Sequence, residues 1–388
     1  MRSNMENGNL VLYLEGRIDS VNASQIEAQI LSALETEPEQ PYILDAHGLD
    51  YISSAGLRML LALIGSGHGP AEMRNVSSVV YDVFEVSGFT RFLKVKRGMR
   101  ELSVDGLSVV GSGAMGTVYR LDTDTIIKVY RKDVSQDIIE REKKRAQLAF
   151  LKGIPTAISF DTVRVGDQYG AVFEMLKADS FNDVIVRQPE RTEEIIDKMI
   201  ALMRTIHRVE MAPDEVPDCR EIYLNYLDRL DMLPVEAAFA IRSMLTEMPQ
   251  NCHTVHGDMQ LKNIMYSEEE PMLIDMETLS MGDPVFEFAA LFVAYIAFNE
   301  AEPENSIAFF GLTQEQSTAI YQALLEKYLN GSDERKRKDF IRKSTILGYV
   351  RFLYLVSVLR IDKPELMEAR IRHAAEMLKE LTAAEDHE

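Results

Sequence analysis

The sequence predicts an α/β domain followed by a two-lobed α+β domain whose first lobe is β-rich and whose second is helical. Three observations carry this. Up to about residue 100, β-branched runs alternate with amphipathic helical patterns. From residue 107, a glycine-rich stretch lies between two strand patterns, and an apolar strand and a helix follow. From residue 193, helical periodicity takes over around one polar stretch, residues 256–263. The boundaries read as 1–103 for the first domain and 104–388 for the second, with lobes of about 104–178 and 179–388.

Composition narrows the setting. A chain of 388 residues suits two or three domains, and 46% hydrophobic with 27% charged residues reads as soluble and globular. The net charge of −20 argues against a nucleic-acid partner, which needs clustered Lys and Arg to displace phosphate counterions. The basic stretch 335–338, with Arg342 and Lys343, reads as a solvated helix face. Cys219 and Cys252 are the two cysteines and neither lies in a CxxC pair, so no disulfide framework or structural zinc is expected. Residues 1–9 are polar, and no run approaches the ~20 apolar residues that span a bilayer. Residues 285–298, interrupted by Glu287, and 346–359, interrupted by Arg351, read as buried helices. A reducing cytoplasm with no membrane partner is the expectation.

In the first domain, residues 9–14 form a strand candidate and Gly16-Arg17-Ile18-Asp19 turns the chain out of it. Asn22 is a candidate N-cap for a helix carrying Ile26, Ile30, Leu31 and Leu34. Residues 42–45 form a second strand. Leu57, Leu60, Leu61 and Ile64 mark another helix, 65–70 a loop, and 75–86 a short strand end and a helix. The stretch 66–74 leaves little length for a regular strand.

The Gly16-Arg17-Ile18-Asp19-Ser20 turn, Tyr51-Ile52-Ser53-Ser54-Ala55-Gly56-Leu57, Asn75-Val76-Ser77 and Val83-Phe84-Glu85-Val86-Ser87-Gly88-Phe89 together resemble the STAS domain of anti-anti-sigma factors, over roughly residues 8–100. The resemblance implies a Ser or Thr at the start of the helix after the second long strand. A partner kinase phosphorylates it to switch binding of an anti-sigma factor or another signalling protein. The matching positions are Ser53 and Ser54. A phosphate at a helix N-terminus meets unpaired N–H groups and brings up to about two negative charges. The plainer role for Ser53 is to cap the helix.

Val104-Asp105-Gly106 reads as the join between domains. Residues 107–110 form a strand, and Gly111-Ser112-Gly113-Ala114-Met115-Gly116 follows. A dinucleotide-binding turn would open a helix here, whereas 117–119 and 123–130 are β-branched strands, so the glycines belong to a hairpin. In a hairpin, Gly111, Gly113 and Gly116, with Val118 beyond them, can close over the phosphates of ATP. Lys128 stands inside an apolar strand, which is costly without a partner. The helix 135–151 offers Glu140 and Glu142, of which Glu142 is favoured. Strands at 157–163 and 169–175 lead to 173–176, where the backbone around Glu174 connects the lobes and could meet an adenine ring.

The Met-rich helix 193–209 reads as core, and His207 as a packed histidine. Asp258 and Asn263 stand five positions apart, with Asp275 twelve further on. Three oxygen-bearing side chains can so surround one phosphoryl group. Asn263 and Asp275 suit Mg²⁺, which takes few protein oxygens and keeps water and phosphate, while Asp258 suits the proton of an accepting hydroxyl. His256 reads as a scaffold for the loop rather than part of a metal site with Cys252 and His253.

His256-Gly257-Asp258 to Asn263, Ile274-Asp275-Met276-Glu277, and Gly282-Asp283-Pro284 with Phe286-Glu287-Phe288-Ala289 resemble the aminoglycoside phosphotransferase and choline kinase branch of the protein-kinase-like fold. The resemblance implies a catalytic Asp258, metal ligands Asn263 and Asp275, and a phosphate-anchoring pair Lys128 and Glu142. Met276-Glu277 stands where protein kinases have Phe-Gly. The expected function is an ATP- and Mg²⁺-dependent phosphotransferase acting on a small-molecule hydroxyl, with a STAS regulatory domain. The alternatives are a signalling kinase whose acceptor is a protein Ser or Thr, its own STAS domain included, and a nucleotide-sensing module without turnover. The acidic stretch 299–304 is either a lure for a cationic acceptor or a plain exposed loop. Residues 364–381 form a last helix before a polar tail, 383–388.

Overall fold

The computed structural model describes residues 1–6, 8–36, 41–113, 115–176, 178–266, 271–360 and 363–383. Ala114 of the glycine stretch, Asp362 and the polar tail from 384 onward lie outside the described residues. The chain divides into two compact units, residues 1–106 with 162–170, and residues 107–161 with 171–388.

In the first unit, β1 (Arg2–Glu6), β2 (Asn9–Ile18), β3 (Tyr42–Ile52), β4 (Glu72–Val76) and β5 (Val95–Arg97) form one sheet in chain order. β1 is antiparallel to β2, and every later pairing is parallel. Parallel neighbours need crossovers, and α1 (Ala23–Thr36), α2 (Ser54–Gly65) and α3 (Ser78–Val86) supply them. Leu12, Ile18, Ile30, Leu44, Leu60, Val76 and Phe84 are buried between these layers. The first strand does not end at Leu14. It runs on to Ile18 through two register shifts, with Gly16 at φ +70°, because a bulge lets a strand bend without leaving its partner. β3 likewise continues to Ile52, and β4 is a paired strand despite the short stretch before it. Asn22 turns its Oδ1 to the Asp19 N–H at 2.9 Å instead of capping forward. β1 is exposed and polar, so it carries no hydrophobic signal. A two-residue strand, β6 (Arg100–Glu101), pairs in parallel with Val163 and Arg164.

The second unit begins with β7 (Val109–Gly113), β8 (Gly116–Arg120), β9 (Thr125–Tyr130), α4 (Gln136–Leu151) and the ends, residues 159–161 and 171–174, of β10 (Ser159–Val165) and β11 (Gln168–Glu174), whose other residues fall in the first unit; its strands are ordered β11-β9-β8-β7. The strand reaches further into the glycine stretch than its composition suggests, since Gly113 pairs directly with Gly116. A Cβ on Gly116 would collide with the Val129 carbonyl, so glycine is required where β8 crosses β9.

Helices α5 (Phe181–Arg187), α6 (Thr192–Ile206), α7 (Cys219–Leu227) and α8 (Val235–Glu247) precede two small antiparallel pairs. These are β12 (Thr254–Val255) with β15 (Ser280–Met281), and β13 (Ile264–Met265) with β14 (Met272–Leu273). Then come α9 (Val285–Phe292), α10 (Phe298–Glu300), α11 (Glu304–Phe310), α12 (Gln314–Tyr328), α13 (Glu334–Leu353) and α14 (Pro364–Ala383). Met199 and Met203 are fully buried, so the Met stripe is core. α9 and α13 are the buried helices whose apolar runs Glu287 and Arg351 interrupt. Each passes into a wider π turn, at Val293–Ala297 and Tyr354–Val358. Among the described residues, no helix is long and apolar enough to cross a membrane.

Candidate active site

β9 carries Lys128 with a buried stem, its side chain 15% exposed. α4 sets Glu142 opposite, and Lys128 Nζ donates to Glu142 Oε1 at 3.0 Å. Tyr130, two residues along the same strand, donates its hydroxyl to the other carboxylate oxygen at 3.0 Å. Lys128 Nζ is also 3.5 Å from Asp275 Oδ1. Burial works against the ammonium, but Asp275 and Glu142 outweigh it and hold the lysine above its ordinary range. Across the sheet, Val118 pairs with Lys128 and also with Gly111, so these three share one face. Gly113 is exposed and Gly116 half-buried at the hairpin's tip. Glu174 ends β11, exposed. The next N–H, that of Met175, donates to Asp124 O at 2.8 Å and is not available to an adenine edge.

The nested pairs β12–β15 and β13–β14 bring the two polar loops together. Asn263 Nδ2 donates to both the carbonyl and Oδ2 of Asp258, each at 2.8 Å. This leaves the Asn263 Oδ1 as the atom it can offer to a cation. Ile274 N–H donates to Asn263 O at 3.0 Å, tying the second loop to the first. Asp275 has φ +65°, a left-handed conformation that a non-glycine residue adopts at a cost. Its buried Oδ1 has no hydrogen-bond partner. Burial pushes the Asp258 carboxyl up to about 6, opposed by Arg351 and assisted by Asp275. Lys128, Glu142, Asp258, Asn263 and Asp275 thus form one connected constellation.

Four side chains that sequence reasoning left without a role hold this constellation. Glu287, fully buried in α9, accepts the N–H groups of His256 at 2.7 Å, Gly257 at 3.1 Å and Met259 at 3.2 Å. The Tyr295 hydroxyl, from the π turn after α9, accepts Leu261 N–H at 3.0 Å. Arg351 of α13 donates Nη1 to Gly257 O at 2.7 Å. Arg145 of α4 donates to the Glu277 carbonyl. For Glu287 and Arg351 the available signal was a lone charge within an apolar run; Tyr295 and Arg145 gave none. His256, buried, presents Nδ1 to the Asp258 N–H at 3.3 Å.

Two other regions differ from their sequence reading or refine it. Two acids of the stretch 299–304 have partners: Glu300 accepts from Tyr349 of α13 and faces His373 of α14, while Glu302 pairs with Lys363 and with Arg370 of α14. In the first unit, Ser53 is the N-cap of α2 and accepts from Ala55 N–H at 3.2 Å, whereas Ser54, the first helical residue, is exposed.

Residues 106–321 match the phosphotransferase enzyme family, and residues 2–102 match the STAS domain. The STAS domain is 36% identical over 91 residues to BtrV of Bordetella bronchiseptica, a protein named as a putative anti-sigma factor antagonist. The match covers 23% of this chain and 78% of that protein. Among solved structures, the fold is similar to aminoglycoside phosphotransferase APH(4)-Ia in ternary complex with ADP and hygromycin B. Identity is 11% and the TM-score 0.50, covering 79% of this chain and 98% of the other. ADP-bound APH(2'')-Ib matches with 12% identity and a TM-score of 0.48, over 79% of this chain and 99% of that one. With more than half of its 388 residues inside the family match, and the nested loops of the second unit placed as described, the chain belongs to the phosphotransferase enzyme family and carries a STAS domain in front.

Proposed function

We propose that this protein transfers the γ-phosphoryl group of ATP to a hydroxyl of a small molecule, with magnesium as cofactor and the STAS domain in a regulatory role. The observation that carries this reading is the convergence of Lys128 on Asp275 at 3.5 Å, with Asp258 fixed to Asn263 at 2.8 Å. Asp275 Oδ1, which accepts no hydrogen bond and lies 3.5 Å from Lys128 Nζ, and the Oδ1 of Asn263, whose Nδ2 is held by Asp258, suit a hard divalent cation that keeps several waters. Bound there, magnesium supplies charge neutralisation of the phosphate oxygens. Lys128, held in place by Glu142 and Tyr130, anchors phosphate. The backbone of the 111–116 hairpin closes over the nucleotide, next to the face formed by Gly111, Val118 and Lys128. Asp258, oriented by Asn263, takes the acceptor's hydroxyl proton. Positioning and charge are most of what phosphoryl transfer asks of a protein.

The test is direct. Purified protein is incubated with Mg-ATP, with and without candidate acceptors, while ADP is quantified and protein and acceptor masses are recorded. Acceptor-dependent ADP with an acceptor gain of one phosphate supports the reading. Absence of Mg-ATP binding sinks it. A second reading, in which a protein Ser is the acceptor, is favoured by the exposure of Ser54 at the start of α2 and the kinship with BtrV. Phosphate on Ser53 or Ser54 without added acceptor is its signature.

A further inference from the structure

β6 has a place in the fold that its two residues do not announce. It ends the strand order β6-β10-β11-β9-β8-β7, and β9, three strands along, carries Lys128. Arg100 and Glu101 pair in parallel with Val163 and Arg164, and Leu102 N–H donates to Arg164 O at 2.8 Å. All of these residues belong to the first unit, which takes in 162–170, the turn between β10 and β11 with the strand ends beside it. Both strands then run without a break into the second unit, where β11 adjoins β9.

On its other side β6 is joined to the sheet of the first domain with almost no slack. Gly98 and Met99 alone separate it from β5, the edge strand of that sheet. Two residues reach about 7 Å at full extension. Gly98 is itself held, since its N–H donates to Val76 O at 2.7 Å and an added Cβ would come within 2.9 Å of Asn75 O. The join expected at 104–106 therefore has a strand in front of it, and a displacement of β5 reaches β6 with no flexible linker to absorb it. Val163 is fully buried, so packing fixes the register at the pairing. A ladder of two residue pairs is nevertheless weak enough to open, and opening it leaves β10 with an uncovered edge.

We infer that β6 couples the first domain to nucleotide binding: paired with β10, it holds the sheet that carries Lys128 in its binding arrangement, and the state of the STAS domain sets ATP affinity by holding or releasing this strand. This rests on the phosphotransferase reading above and gives its regulatory part a route. Coupling between sites is reciprocal, so bound nucleotide holds β6 in turn.

The experiment uses the full chain with Mg²⁺ and a non-hydrolysable ATP analogue. Amide hydrogen exchange is followed over residues 95–102 and 163–164 with and without saturating nucleotide, and Kd is measured by titration calorimetry. In the wild type, bound nucleotide should slow exchange across 95–102, the Leu102 amide included. Leu102→Pro removes the donor to Arg164 O and should weaken nucleotide binding roughly 5- to 150-fold, the usual span of coupling between sites. Leu102→Ala keeps the N–H and should bind as the wild type does. A short Gly-Ser insert after Gly98 gives the join slack, and nucleotide should then still protect 100–102 but no longer 95–97. Wild-type exchange over 95–102 that ignores nucleotide overturns the inference whether or not Leu102→Pro folds. Equal affinities in folded Leu102→Pro and Leu102→Ala overturn it too, as does protection of 95–97 that survives the insert. Failure of the wild type to bind Mg-nucleotide at all marks instead the failure of the phosphotransferase reading, and this inference falls with it.

Discussion

The two halves of the candidate active site are built on opposite plans. Lys128 and Glu142 are fourteen residues apart, on a strand and the helix that follows it, and they satisfy each other with Tyr130. The 256–263 loop satisfies little of itself. Its backbone is held by Glu287, Tyr295 and Arg351, between 28 and 94 residues away along the chain. One half is a local ion pair and the other a loop suspended from a helical core. Damage to the first should be confined to nucleotide handling, while damage to the supports of the second should reach stability and chemistry together.

Substitutions at five positions break or sharpen that contrast. The largest effect belongs to Asp258→Asn, which should lower kcat on the order of 10²–10⁴ while leaving the unfolding midpoint where it was. Wild-type turnover in that variant would remove Asp258 from the chemistry. Glu287→Ala should cost about 3–5 kcal/mol of stability in the second unit, read from denaturant unfolding, because three backbone donors lose a buried anionic acceptor. Burial alone would raise the Glu287 carboxyl, but attraction to the nearby histidines and the Gly257 N–H hold it below the ordinary range. His207 Nε2 lies 3.8 Å away, too far for a direct hydrogen bond, so its share is coulombic. A depressed carboxyl stabilises fully above about pH 4.3 and loses that contribution as pH falls through its lower folded value. The stability gap between wild type and Glu287→Gln should therefore narrow in acid. A gap that widens in acid contradicts this account.

Lys128→Met should reduce kcat/KM for ATP on the order of 10² and should cost less stability than Glu287→Ala, because Glu142 keeps the Tyr130 hydroxyl. Equal losses of stability in Lys128→Met and Glu287→Ala would erase the contrast. The smallest effect is expected in the first unit, where Ser53→Ala removes the N-cap of α2 and should cost about 1 kcal/mol. Ser54→Ala should leave stability nearly unchanged, since Ser54 caps nothing.

The same contrast explains how much could be read in advance. Lys128, Asp258, Asn263 and Asp275 announce themselves because each is polar within or beside an apolar run, at spacings a single hairpin or loop can hold. In the sheet of the first unit, β2 and β3 were legible from the α/β alternation, whereas β4 and β5 are short and β1, whose residues are polar, gains its order by pairing with β2. What remained hidden was long-range. Glu287 and Arg351 were visible only as interruptions in apolar helices, and sequence spacing says nothing about which loop such an interruption faces. The length of β2 was hidden for a different reason. Gly16 reads as a turn residue, and a bulge uses the same positive φ without ending the strand.

The wide turn at Val293–Ala297 has a consequence for how the gene can change length. A π turn is equivalent to one residue inserted into an α-helix, and removing it would rotate everything beyond by about 100°. Tyr295, whose hydroxyl receives the Leu261 N–H, sits inside that turn. Insertions and deletions are ordinarily absorbed by exposed loops, and the turn after α2, residues 65–70, should absorb them here. A single-codon deletion within 293–297, though it restores a more regular helix, should instead cut a support of the catalytic loop from a distance.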